Sequence, residues 1–134
     1  MEITLATLPQ ATAQQVFDQV AEHLLTQAHR SLNEYGCAYR GLLSGDMCAA
    51  GCLISDSEYN VNMEDRDWAS LIKSSKVPRH HTKLIADLQS IHDLGLVKNW
   101  PEDLTALAYR YSVRPTVVTT LTKSFNEKLS KNLA

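Results

Sequence analysis

The sequence predicts a small, mainly α-helical single domain, with four or five helices around one short hairpin-like or irregular Cys/Gly-rich element. Three observations carry this. Apolar residues recur at three- and four-residue steps through several separate segments, the spacing that puts them on one face of a helix. Residues that start and stop helices, such as Thr12, Gly95, Pro101 and Pro115, stand at the ends of those segments. All three cysteines and four of the five glycines fall within Gly36 to Ile54, GCAYRGLLSGDMCAAGCLI.

At 134 residues the chain can bury a core without disulfide or metal staples. Its apolar fraction of 44% and charged fraction of 21% are those of ordinary globular proteins, against wholesale disorder. No apolar run approaches the roughly 18 residues needed to span a bilayer, so no membrane partner is expected. Glu2 and the lack of an early Lys or Arg argue against a secretory signal. An odd cysteine count suits a reducing compartment, and the expected localisation is cytoplasmic. The net charge of −2 is unevenly spread. Residues 1–95 carry seven Lys/Arg against twelve Asp/Glu, and residues 96–134 carry six against three. An acidic body with a basic C-terminal segment suggests two different partner surfaces.

Taken in order, residues 2–9 read as irregular and end at Pro9. Thr12 and Gln15 have capping-box spacing, and Val16, Phe17, Val20, Ala21, Leu24, Leu25 and Ala28 form one stripe, predicting a helix over 13–28 that frays toward Tyr35. In the Cys/Gly-rich stretch, Ser44-Gly45-Asp46 is a turn cluster, with Cys37-Ala38-Tyr39 running in and Met47 to Ala50 running out. Small residues on the return leg imply close packing beneath the long helix. Ser55 to Glu58 is a turn and Tyr59 to Asp65 a loop. Residues 67–72 form a short helix burying Trp68, Leu71 and Ile72, and the segment around Pro78 is a connector.

A second clear helix spans 82–94, with Leu84, Ile85, Leu88 and Ile91 inward, and Gly95 is expected in the left-handed conformation of a Schellman motif with Leu96 packed on Ile91. Pro101 with Glu102 and Asp103 opens the next helix. Pro115 opens another, in which the β-branched run 116–120 opposes the helical spacing of Val118, Leu121, Phe125 and Leu129. Residues 130–134 are expected to fray.

The chemistry-bearing residue types form no local catalytic motif. Cys37, Cys48 and Cys52 follow C-x10-C-x3-C, which supplies three zinc ligands but needs a fourth from His80, His81 or His92 through the fold. Small buried hydrophobes are the alternative reading of these sulfurs, and the favoured one. No cofactor is expected. Glu64, Asp65 and Asp67 read as solvated charges ahead of a helix, and His80-His81 as a polar connector. The glycines fit neither a phosphate loop nor a nucleophile elbow.

Residues 104–123 resemble a helix-turn-helix, with small Ala108, a turn at Ser112-Val113 and apolar Val118 and Leu121. In that motif Arg114, Thr116, Thr119, Thr120 and Lys123 would face DNA. Ser112 stands where glycine usually permits the turn, and the stripe Thr116 to Lys123 lacks an Asn, Gln or Arg for bidentate base contacts.

The apolar stripe Val16 to Leu25, then Cys37-x-Tyr39-Arg40-Gly41, Cys48-Ala-x-Gly51-Cys52-Leu53-Ile54 with Tyr59, and Leu84-Ile85-x-x-Leu88-Gln89-x-x-His92-Asp93 together resemble a family of small bacterial and bacteriophage proteins with no established reaction. The likeness fades near Val113, so a 1–113 core with a helical extension over 114–134 is expected within the one domain. The resemblance implies a phage or mobile-element setting, in which small acidic domains work by blocking a host protein. The expectation is therefore a non-enzymatic protein-binding module that inhibits a host or defence-system protein. Tyr35, Tyr39, Arg40, Tyr59 and Trp68 are its candidate anchors. The alternative is a DNA-binding regulator using 104–123.

Overall fold

The computed structural model describes residues 2–133 and has the predicted architecture. Among them, five helices, α1 (Ala13–Gln27), α2 (Trp68–Lys73), α3 (Thr82–Leu94), α4 (Trp100–Arg110) and α5 (Thr116–Leu133), share one core, and a two-stranded hairpin, β1 (Leu32–Asn33) and β2 (Gly36–Cys37), lies outside it. Short 3-10 turns at Leu8–Gln10, Gly51–Leu53, Val61–Met63 and Val97–Asn99 fill the connections. Among the described residues no helix is long and apolar enough to cross a membrane.

Helix α1 is central. The Thr12 hydroxyl accepts from the Gln15 amide and the Gln15 side chain accepts from the Thr12 amide, closing the capping box. Val16, Phe17, Val20, Ala21, Leu24 and Leu25 are buried beneath it. The helix stops at Ala28, which takes the left-handed conformation (φ 60°) and turns the chain away. The expected fraying toward Tyr35 is therefore replaced by the hairpin, in which Leu32 pairs with Cys37 and Asn33 with Gly36.

The Ser44-Gly45-Asp46 turn forms, with Gly45 at φ 86°, but its two legs do not pair with each other as strands: Cys37 ends β2, which pairs with β1. Gly41 donates to the Asp46 carbonyl and Leu42 to the Leu32 carbonyl, making a closed loop beside β1. The return leg coils into the 3-10 turn at Gly51–Leu53. Close packing there is real: a Cβ on Gly51 would lie 2.5 Å from the Tyr39 carbonyl oxygen.

Helix α2 is capped by Asp67, whose carboxylate accepts from the Ser70 amide, and buries Trp68 and Leu71. Helix α3 has the expected bounds, but Gly95 is extended (φ −78°, ψ 162°) rather than left-handed, and Leu96 is exposed. A side chain at Gly95 would crowd the Asp103 carboxylate at 3.0 Å, so close approach rather than dihedral freedom suits glycine here.

Pro101 sits in the first turn of α4. The β-branched start of α5 is helical, and the helix runs through Leu133 without the expected fraying from 130; Ala134 lies outside the described residues. Helix α5 lies parallel to α1: Gln14 exchanges hydrogen bonds with the Arg114 backbone at one end, and Lys128 Nζ donates to the Thr26 carbonyl at the other. Val118 and Phe125 are buried, and Trp100 stacks between His92 and Phe125 at centroid distances of 5.8 and 6.4 Å. Val118 and Phe125 of α5 thus belong to the core.

Candidate protein-binding surface

Four of the five candidate anchors are used inside the molecule. The Glu64 carboxylate accepts from the Tyr39 and Arg40 amides, each at 3.0 Å, and from the Tyr59 hydroxyl at 2.5 Å. Arg40 spreads its planar donors over the Tyr39, Gly51 and Ile54 carbonyls and Asp56, and its guanidinium lies 4.9 Å from the centroid of the Tyr59 ring. Tyr39 is 6% exposed and donates to the Arg66 carbonyl, and Trp68 is 3% exposed. Burial pushes the Tyr39 phenol well above its ordinary range, and burial with the Glu64 contact pushes Tyr59 up to about 12. Tyr39 and Trp68 thus have no surface to offer a partner, while Arg40 and Tyr59 lock the loop ends together. Tyr35 alone of the five is open, at 77% exposure on the hairpin turn.

The sulfurs do not converge. Cys48 is buried and accepts from the Gly51 amide, and the Cys52 thiol donates to the Ala49 carbonyl. The group of three ligand-type side chains that the fold assembles among the described residues is instead Cys37, His92 and Asp93, with their donor atoms all within 4.8 Å. His92 Nε2 accepts from the Ser31 backbone amide at 3.0 Å; that amide can only donate, so the imidazole proton sits on Nδ1 and is given to Asp93 at 2.7 Å. A cation at Nδ1 would drive the proton onto Nε2, donor against donor with Ser31. This arrangement favours a hydrogen-bonded clamp over a zinc site. Asp93 also accepts from Gln89, which donates through its amide group while its oxygen accepts from the Ala50 amide.

Burial, with the Asp93 carboxylate second, raises the Cys37 thiol to about 11, and burial raises Cys48 to about 12 and Cys52 further. Each is a poor thiolate at neutral pH. The clamp instead joins α3 to β2 and to the Cys/Gly-rich loop.

What the clamp and the Glu64 network hold out to solvent is apolar. Leu32 (47% exposed), Tyr35, Leu42 (76%) and Leu43 (65%) share the hairpin and the loop hydrogen-bonded to it. Arg30, one residue before buried Ser31, donates to the His92 and Gly95 carbonyls. That bond brings exposed Leu94 and Leu96, at the end of α3, to the same end of the molecule. Sequence reasoning missed these leucines because Leu42-Leu43 looks like core. Their one signal is the flanking Gly41 and Ser44-Gly45, which confine them to a tight loop.

A separate open groove of about 960 Å³ runs between the polar face of α1 and the segments 44–47 and 52–56. Its bases are already engaged: His23 donates to the Met47 carbonyl, His29 meets Asp46 at 2.9 Å and Arg40 holds carbonyls. The residues of the DNA alternative, Arg114, Thr116, Thr119, Thr120 and Lys123, are all exposed. Comparison with protein-family models, curated proteins and solved structures finds no match for this chain.

Proposed function

We propose that this chain is a non-enzymatic protein-binding module whose contact face is the leucine-rich end formed by the hairpin and the loop 41–46. The observation that supports this reading is the group Leu32, Tyr35, Leu42 and Leu43, open to water on a segment tied at Ser31 to His92 and at Arg40 to Glu64. Clustered exposed apolar side chains cost solubility unless a partner covers them, and a preorganised backbone lowers the entropy lost when one does. Tyr35 keeps the anchor role expected of it, joined by leucines in place of the buried aromatics.

The resemblance of the Cys/Gly-rich stretch to bacterial and bacteriophage proteins makes a host or defence-system protein the proposed partner, with inhibition as the consequence of binding.

The experiment compares wild-type protein with L42S/L43S as bait in a bacterial lysate and then titrates the captured protein, purified, by calorimetry. Each leucine lost from the centre of an interface costs about 1–2 kcal/mol, so affinity should fall by at least about tenfold while the circular dichroism spectrum stays unchanged. Undiminished binding by the folded double variant would reject this face.

A further inference from the structure

We infer that α4, α5 and the turn between them form a contact surface for duplex DNA, with the outer face of the first two turns of α5 set toward the groove. This goes beyond the protein-binding reading and uses a different side of the chain's chemistry.

The turn removes the main sequence objection. Ser112 adopts the left-handed conformation (φ 55°) that glycine usually supplies, closed by hydrogen bonds from Ser112 to the Tyr109 carbonyl and from Val113 to the Ala108 carbonyl. Leu107, Ala108 and Val118 are buried around it. The inner face of α5 is committed to α1 through Gln14, Thr26 and the core contacts of Val118 and Phe125, so the helix cannot rotate. Thr116, Thr119, Thr120 and Lys123 then occupy one outward stripe at steps of three and four residues, with Arg114 at its start.

Charge selects the occupant. In a chain of net charge −2, residues 96–134 carry six Lys/Arg against three acids, and all six bases are exposed. Arg110 and Arg114 flank the turn and Lys123 stands on the stripe, a distribution that suits a polyanion. Glu127 lies one turn beyond Lys123 on the same stripe and confines the contact to the helix start. Threonine hydroxyls can donate to phosphates and their methyl groups can touch thymine, but the stripe to Lys123 has no bidentate base reader. Affinity should therefore come from the phosphates, with little sequence discrimination.

Fluorescence anisotropy of a labelled duplex of about 20 base pairs tests this across salt from about 20 to 200 mM. Three phosphate contacts predict a slope of log K against log salt near −3, and R114A/K123A should weaken binding at least about tenfold and remove about 2 units of that slope. K73A/K76A, which removes exposed bases on and just after α2, should leave binding unchanged, as should L42S/L43S, which separates this inference from the protein-binding face. Absence of binding at the lowest salt, an equal loss with K73A/K76A, or equal affinity for the single strand would each overturn the proposal.

Discussion

Glu64 is half-buried and receives two consecutive backbone amides and a phenol, a demand that only a pair of carboxylate oxygens meets. Glu64→Gln keeps the shape but turns an amide NH2 toward a backbone N–H. Because a buried donor without an acceptor costs about 1–3 kcal/mol, the substitution should destabilise by about 2–3 kcal/mol in urea unfolding. A cost below about 0.5 kcal/mol would mean the carboxylate is dispensable. The role was illegible in the sequence because Glu64 reads like its neighbours Asp65 and Asp67. Asp67 does cap α2 as a local rule predicts, whereas Glu64 meets residues 24 and 25 positions away. Long-range contacts also turn Tyr39 and Arg40 inward onto Glu64 and set Tyr59 against Arg40. Sequence identified them as unusual without revealing which way they face.

Elements set by local chemistry were legible to within a residue. The capping box fixed the start of α1, apolar spacing and Gly95 bounded α3, and α2 begins one residue after the expected 67 because Asp67 is its cap. The hairpin was misplaced because its strands are two residues each, too short for a period, and owe their position to Leu42, Ser31 and His92. Gly95 is extended rather than left-handed: close approach and a left-handed dihedral both favour glycine, and here it is the approach to Asp103 that does so. Ser112 is the converse case, a left-handed site without glycine. The strain of about 1–2 kcal/mol exceeds the extra backbone entropy of glycine, so Ser112→Gly should raise stability by about 0.5–1 kcal/mol. Ser112 is exposed, so no packing change confounds the comparison. A destabilising Ser112→Gly in urea melts would refute the strained-turn reading on which the α4–α5 geometry rests.

Across the whole molecule, two titratable groups tie distant segments together and give stability a pH signature. His23, on α1, donates to the Met47 carbonyl, and burial lowers its pKa; that hydrogen bond and nearby Asp46 oppose the shift, while His92 and Arg40 add to it. The unfolded chain therefore takes up a proton near pH 6.5 while the folded chain still resists. Its contribution is fully present above about 6.5 and declines as pH falls through the folded value. Glu58 acts lower. Burial would raise its pKa, but amides of Ser55, Leu5 and Ala6 donate to it and hold it below the usual carboxylate range. The stability it adds is present above about 4.5 and lost below. Urea unfolding of wild type and H23Q at pH 7.5 and 5.5 separates the two windows, because Glu58 is ionised at both. Wild type should lose more stability between those values than H23Q, which cannot take up the proton; equal losses would show that the α1 contact with the Cys/Gly-rich loop does not set the acid response.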